Sequence, residues 1–172
     1  PFTTHHNALD MQLYLRIAVE LYLKRLIVGG MERVYEIART FRNEGVSTRH
    51  NPEFTMMELY QAFGDWNDVM DITEELITTA AQDALGTTVV EVRGEQVDLA
   101  DAWPRKRMID YASEGTGVEL HPSMPISDVR KVAANHDVFV EDRWGAGKII
   151  EELFEKTAES SIIRPTFVTG HP

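Results

Sequence analysis

The sequence predicts a mixed domain of helices and antiparallel strands, the α+β class. Residues 33–63 alternate apolar and polar side chains on both sides of a polar loop, which is typical of two strands joined as a hairpin. Residues 65–85 repeat apolar side chains at spacings of three and four, which is typical of an amphipathic helix. The chain has 172 residues, 43% of them hydrophobic and 26% charged, so it is long enough to bury a core.

The composition excludes several kinds of chemistry. The chain has no cysteine, which rules out disulfides, thiolate-bound zinc, iron–sulfur clusters and a cysteine nucleophile. Its formal net charge of −11 argues against a basic face that binds nucleic acid by neutralising phosphates. The densest apolar stretch, residues 13–28, is interrupted by four charged side chains and does not predict a membrane span. Because the first residue is Pro1 rather than Met, we expect the chain to be cut from a longer protein.

Three segments are predicted to be helical. The first is residues 65–85, where Gly86 takes the place of the glycine that commonly follows a helix. The second is residues 126–136, with Ser127 as the predicted N-cap. The third is residues 147–159, which has an apolar stripe at helical spacing.

Strands are predicted by short runs of β-branched and aromatic residues between turn signals. The predicted strands are residues 13–18, 33–42, 54–63, 88–92 and 167–169. Residues 94–125 are richer in glycine, proline and charge, so we expect an irregular insertion there around one short helix.

The predicted hairpin has one apolar face and one face of small and functional side chains. Successive side chains of a strand point to opposite faces, which places Tyr35 and Ile37 on the apolar face and Arg42 on the other. In the return strand, Glu58 and Tyr60 fall on the same face as Arg42. A polar sheet face of this kind suggests the floor of a cavity.

The loop between the two strands contains residues suited to a nucleotide. Arg42 offers a planar fork for a phosphate or a carboxylate, and Glu44 follows it. An Arg-x-Glu sequence alone more often forms an ordinary surface ion pair. Arg49 and His50 add cations for a polyphosphate, and Phe54 adds a ring on which a base can stack. The whole group favours a nucleotide site over an ion pair.

A second group of candidates consists of Glu20, Glu58 and Tyr60. Two carboxylates and a phenol could act as a glycosidase-like acid and base, or they could form a cage for an ammonium ion. Solvated glutamates are the third interpretation. The alternation of side chains along a strand places Glu58 and Tyr60 on one face but does not locate Glu20. The residues alone therefore leave these alternatives open.

Other familiar site patterns are missing from the sequence. Residues 145–148 lack the spacing and the hydroxyl residue of a phosphate-binding P-loop. The adjacent His5 and His6 would point apart, and no histidine and glutamate are placed at helical ligand spacing. We therefore predict no metal ligands in this chain.

Two stretches of the hairpin carry a resemblance to a known family. Residues 41–45, FRNEG, and residues 49–60, RHNPEFTMMELY, resemble motif 2 of class II aminoacyl-tRNA synthetases, in the form that bacterial lysyl-tRNA synthetases have. Flanking segments in residues 4–34 agree. The resemblance implies an antiparallel sheet flanked by helices. It also implies that lysine reacts with ATP to give lysyl-adenylate, from which lysine passes to tRNA(Lys).

The resemblance implies a role for each residue of the nucleotide group. Arg42 matches the motif 2 arginine that contacts the α-phosphate of ATP and the carboxylate of lysine. Glu44 matches a residue at the adenine end, and Phe54 matches the ring that stacks on adenine. Arg49 and His50 match loop residues beside the outer phosphates.

The resemblance also implies a role for the second group. Glu58 matches a carboxylate that binds the substrate. Glu20 and Tyr60 match residues that recognise the ε-ammonium of lysine. This match favours the ammonium cage over the glycosidase pair.

The resemblance covers the chain unevenly and implies parts outside it. It is dense in residues 1–86, which would form the core with the motif 2 hairpin, weak in the insertion of residues 87–143, and returns in residues 144–172. Motif 1 with its dimer contact, motif 3 and an anticodon-binding OB-fold are absent from the sequence. We expect a cytoplasmic homodimer whose Mg²⁺ ligands lie outside this chain, and an inactive protein if the 172 residues are isolated.

Two rival functions stay open at this point. The first is a paralogue that forms the same lysyl-adenylate but delivers lysine to a protein or a lipid. The second is a non-catalytic binding module with a synthetase-like fold. The joint presence of Arg42, Glu44, Phe54, Glu58 and Tyr60 argues against the second, because a degenerate copy has no need of them.

Overall fold

The computed structural model describes residues 1–48 and 50–171. The chain divides into two compact units, Pro1–Asn67 and Asp68–Pro172. Helices and short, mostly antiparallel sheets occur in both, as the α+β prediction requires. No helix in the described part of the chain is long and apolar enough to cross a membrane. The predicted partition at residues 86 and 143 stays a prediction.

The first unit consists of two hairpins and a helix. Strands β1 and β2 pair antiparallel, as do strands β3 and β4, and helix α1 lies between the two hairpins in the chain. The elements are β1 (Thr3–His6), β2 (Met11–Tyr14), α1 (Glu20–Val28), β3 (Arg33–Phe41) and β4 (Glu53–Gln61).

The β3–β4 hairpin confirms the alternation predicted from the sequence. Its register places Val34 opposite Tyr60 and Glu36 opposite Glu58, so these four side chains share one face. The backbone N–H of Arg42 donates to the carbonyl of Pro52 at 2.9 Å, which extends the pairing one step into the loop.

Helix α1 covers part of this face. Val19 and Leu23 are fully or almost fully buried against Ala38 of β3, with Val34 and Tyr60 packed around them. The predicted cavity floor is therefore partly covered, and its open part lies toward the loop. The opposite, apolar face is open in this chain, since Tyr35 is 72% exposed and Ile37 is 65% exposed.

Two predictions in the first unit are wrong. Of the strand predicted for residues 13–18, only Leu13 and Tyr14 lie in a strand, at the end of β2. The residues that follow contact the end of β3, where the carbonyl of Arg16 accepts the N–H of Phe41. Helix α1 was not predicted, because Leu21, Tyr22 and Val28 give it apolar side chains on its exposed surface and blur the helical period.

The second unit contains most of the helices. Its elements are α2 (Trp66–Leu85, which begins just before the unit), β5 (Val89–Val92), β6 (Glu95–Asp98), β7 (Arg105–Arg107), α3 (Met108–Thr116), α4 (Ile126–Asn135), α5 (Ala146–Thr157), a 3₁₀ turn (Glu159–Ser161) and β8 (Phe167–Thr169). Strands β5 and β6 pair antiparallel, whereas β7 and β8 pair parallel.

The core of the second unit is formed by α3, α4 and α5. Ile149 and Leu153 of α5 are fully buried against Val129 of α4 and Ala112 of α3. The predicted apolar stripe of α5 thus faces the core. Helix α2 ends where predicted, since Gly86 adopts φ +74° and donates its N–H to the carbonyl of Gln82 at 2.9 Å.

Some local predictions in this unit are wrong. Ser127 is not an N-cap, because α4 begins at Ile126 and the carbonyl of Pro125 accepts the N–H of Asp128 at 2.9 Å. Residues 94–125 contain β6 and β7 besides the one predicted helix. The strand predicted for residues 88–92 is confirmed as β5, but its partner β6 was missed because it has only four residues, although Arg93 (φ +52°) and Gly94 (φ +86°) form the turn that such hairpins favour.

Gly115 allows α3 and α5 to approach closely. A Cβ at this position would collide with the Thr157 hydroxyl and lie 2.9 Å from the Thr157 Cβ. We expect Gly115→Ala to lower the free energy of unfolding by about 1 kcal/mol, because overpacking costs more than the gain in helix propensity. Urea denaturation measures the change. Gly145→Ala is the control, since a Cβ there meets nothing within 4 Å; equal stability of the two variants would contradict this packing.

Candidate functional site

The face of the β3–β4 hairpin that includes Glu58 and Tyr60 carries two groups of candidate residues. The nucleotide group lies where β3 and β4 enter the loop, and the carboxylate group lies toward the other end of β4. Phe54 and Glu58 are four residues apart on the same face of β4, which corresponds to about 13 Å along a strand.

The nucleotide group lines a cleft of about 700 Å³ formed by the loop itself. Arg42, Glu44, His50 and Phe54 are among its lining residues. A cleft of this size is within the range of small-molecule sites in proteins. Arg49, the remaining member of the predicted group, lies outside the described residues.

Arg42 is anchored at the mouth of the cleft. Its Nε donates to the carbonyl of Ile17 at 3.2 Å, and its guanidinium carbon lies 5.4 Å from the centre of the Phe54 ring. Among the described residues, Ile17 supplies the one protein acceptor for this guanidinium. Four of its five N–H donors are therefore left for an anionic ligand.

The loop is shaped by contacts around His50. The backbones of Ser47 and His50 bond to each other in both directions, at 3.1 and 3.3 Å, and Ser47 Oγ lies 2.9 Å from His50 Nδ1. At the loop's return, Thr40 donates its hydroxyl to the carbonyl of Phe54 at 3.3 Å. These contacts hold His50 and Phe54 at the edge of the cleft.

The structure brings the three carboxylate-group residues together. Tyr60 donates its hydroxyl to Glu58 Oε2 at 2.9 Å. Burial of the phenol, the hydrogen bond to Glu58 and the charges of Glu58 and Glu20 together raise the pKa of Tyr60 to about 12. Glu20 is thus close enough to act on Tyr60 electrostatically. The alternation of side chains along the strands did not predict this position of Glu20.

Glu20 reaches this group because the chain before α1 is bonded to β3. The carbonyl of Arg16 accepts the N–H of Phe41 at 2.9 Å, and Arg16 Nε donates to the carbonyl of Arg39 at 2.9 Å. Helix α1 begins four residues later, with Glu20 in its first turn. The position of Glu20 therefore depends on the β3 backbone.

Three charged residues at this site were not among the predicted candidates. Glu36 faces Glu58 across the hairpin, and Arg16 Nη1 pairs with Glu36 at 2.6 Å. Lys24 pairs with Glu20 one helical turn away, and its Nζ lies 5.8 Å from the centre of the Tyr60 ring. The hairpin register and the Glu-x-x-x-Lys spacing are the sequence signals that could have indicated Glu36 and Lys24.

The donor set does not fit a metal ion. Among residues 1–48 and 50–171, no three histidine, aspartate or glutamate side chains are grouped as metal ligands.

The environment of Tyr60 has a consequence at alkaline pH. We expect the difference in near-ultraviolet absorbance between the wild type and Tyr60→Phe to show a phenolate with a pKa of about 12. Since the native pKa is raised above 10.0, the contribution of Tyr60 to stability is complete below about pH 10 and is lost as the pH rises to about 12. A difference spectrum that titrates near pH 10 would contradict the contact with Glu58.

Comparison with known proteins places the chain in a family. Residues 1–172 match the family model described as tRNA synthetases class II (D, K and N). The chain is 54% identical to a lysine–tRNA ligase of Bacillus subtilis (strain 168), 55% identical to one of Lysinibacillus sphaericus (strain C3-41) and 51% identical to one of Staphylococcus aureus (strain Mu3). Each match covers 100% of this chain and 34–35% of the relative, so the chain spans about a third of their length. The chain belongs to the class II tRNA synthetases.

Proposed function

We propose that the protein containing this chain is a lysine–tRNA ligase. Lysine and ATP would form lysyl-adenylate and pyrophosphate, and lysine would then pass to tRNA(Lys). The observation that carries this proposal is the placement of Arg42, whose free donors line the loop cleft beside the Phe54 ring. The names of the relatives support the same activity.

The loop cleft is proposed to bind ATP. Phe54 offers a ring for the adenine, and Glu44 offers an acceptor for its amino group. His50 lies on the loop beside the proposed phosphate path. Arg49 is assigned to the phosphates from the sequence alone. In this arrangement the α-phosphate lies at Arg42, because a guanidinium can hold two oxygens at once.

The carboxylate group is proposed to bind lysine. Its ε-ammonium would lie among Glu20, Glu58 and the hydroxyl of Tyr60, and its carboxylate would reach Arg42. A substrate without the ammonium would make no charge-assisted hydrogen bond to these carboxylates, which is how such a pocket discriminates.

Adenylation in this site is mainly a matter of positioning and charge. A carboxylate oxygen of lysine attacks the α-phosphorus, a new O–P bond forms, and the bond to pyrophosphate breaks. Arg42 can hold attacker and phosphate together and stabilise the negative charge on the phosphoryl oxygens. In the second step, a hydroxyl of the terminal adenosine of tRNA attacks the lysyl carbonyl carbon and AMP leaves.

Several features of the whole enzyme belong to this proposal, although no residue of this chain is assigned to them. They are the Mg²⁺ that accompanies ATP, the homodimer, the cytoplasmic location and the contacts with tRNA(Lys). A paralogue with a protein or lipid acceptor would share both sites described above. Charging of tRNA(Lys) by the full-length protein separates the two functions.

The role of Arg42 can be measured by lysine-dependent ATP–pyrophosphate exchange in the full-length protein. We expect Arg42→Ala to lower the rate by about 10²–10³-fold, the range seen when one donor to a transition state is lost. Arg39→Ala is the matched control, since Arg39 lies on the opposite face of β3 and pairs with Glu53. Near-normal exchange in Arg42→Ala would refute the assignment.

A change at Glu20 should weaken the binding of lysine and leave the binding of ATP unchanged. We expect Glu20→Gln to weaken lysine binding by about tenfold or more while ATP binding stays nearly constant, because a charge-assisted hydrogen bond to the ammonium is lost. Calorimetric titration of each ligand measures the two affinities. Glu152→Gln, which removes a similar helix ion pair with Lys148, serves as the control. Equal losses for lysine and ATP would contradict an ammonium site.

A further inference from the structure

Lys24 places an ammonium group inside the carboxylate cluster. Its Nζ pairs with Glu20 across one turn of α1 and lies 5.8 Å from the centre of the Tyr60 ring. The side chain of Lys24 ends in the same group as free lysine, a primary ammonium on a four-carbon stem. The chain therefore supplies its own copy of the group that Glu20 and Tyr60 are proposed to recognise.

We propose that Lys24 is an internal competitor of the substrate ammonium and thereby lowers the preference of the site for lysine over a neutral analogue. In the empty site Lys24 neutralises Glu20, and it releases Glu20 when the substrate ammonium enters. This inference rests on the proposed lysine site. It assigns Lys24 a positioning role, since Lys24 acts through Glu20 and does not touch the reacting atoms.

The exposure of the pair makes this exchange feasible. The side chains of Lys24 and Glu20 are 53% and 47% exposed, so water can solvate either group when the pair opens. Ion pairs with this exposure are weak, and a lysine side chain has a flexible stem that can turn outward. An entering ammonium can thus replace Lys24 without disturbing the fold of α1.

The Lys24–Glu20 pair also affects how well the site binds a neutral substrate. Glu36 is paired with Arg16, Glu58 accepts the Tyr60 hydroxyl, and Glu20 is paired with Lys24. A neutral analogue such as norleucine finds every carboxylate partnered and leaves Lys24 in place. Lys24 therefore weakens lysine binding and lowers the cost of accepting a neutral analogue.

The test is Lys24→Met in the full-length protein, with lysine and norleucine as substrates in pyrophosphate exchange. We expect the KM and the Kd for lysine to fall by about 2- to 5-fold, the range for removing an exposed helix ion pair. The preference for lysine over norleucine in kcat/KM should rise by at least that factor, and the KM for ATP should stay constant. The gain should shrink in high salt, because exposed charges are screened.

Two control variants keep the inference falsifiable. Lys148→Met removes a lysine in a similar setting, paired with Glu151 and Glu152 and 5.8 Å from the Trp144 ring centre, and should leave both substrates unaffected. Lys24→Arg keeps the cation and should behave like the wild type.

Weaker lysine binding in Lys24→Met, or an equal change for both substrates, would overturn the inference. A wild type that does not bind lysine would instead overturn the proposed function.

Discussion

The antiparallel pairing of β3 and β4 is the constraint on which the candidate site depends. Its register sets Glu36 opposite Glu58 and keeps Tyr60 on the same face. A slip of one residue would move every side chain of one strand to the other face and would separate these groups. The same strand backbone also binds the segment around Arg16, and this contact brings Glu20 to the site.

The second constraint is electrostatic. Three carboxylates close together repel one another unless each is paired, and like charges directly opposite each other in a hairpin destabilise it. Arg16, the Tyr60 hydroxyl and Lys24 supply those partners. Burial of the phenol, together with the hydrogen bond to Glu58 and the charges of Glu58 and Glu20, raises the pKa of Tyr60. A site that contains three neighbouring carboxylates favours the binding of an added cation.

The sequence predicts the parts of the fold that have long regular patterns. The hairpin, α2 and α5 follow from periods repeated over nine or more residues, whereas β6 and β7 are too short to show a period. The closeness of Glu58 and Tyr60 follows from the sequence, because side chains two residues apart on a strand share a face. The position of Glu20 does not, because it depends on how α1 packs through Leu23 onto β3, a tertiary contact with no local signal.

The central claim is that one face of the hairpin binds lysine and ATP together. It is tested most directly by an experimental structure of the full-length protein with L-lysine and a non-hydrolysable ATP analogue. The account predicts the lysine ammonium within hydrogen-bond distance of Glu20, the α-phosphate against Arg42, and Lys24 turned away from Glu20. Lysine bound elsewhere, or an α-phosphate without contact to Arg42, would contradict it.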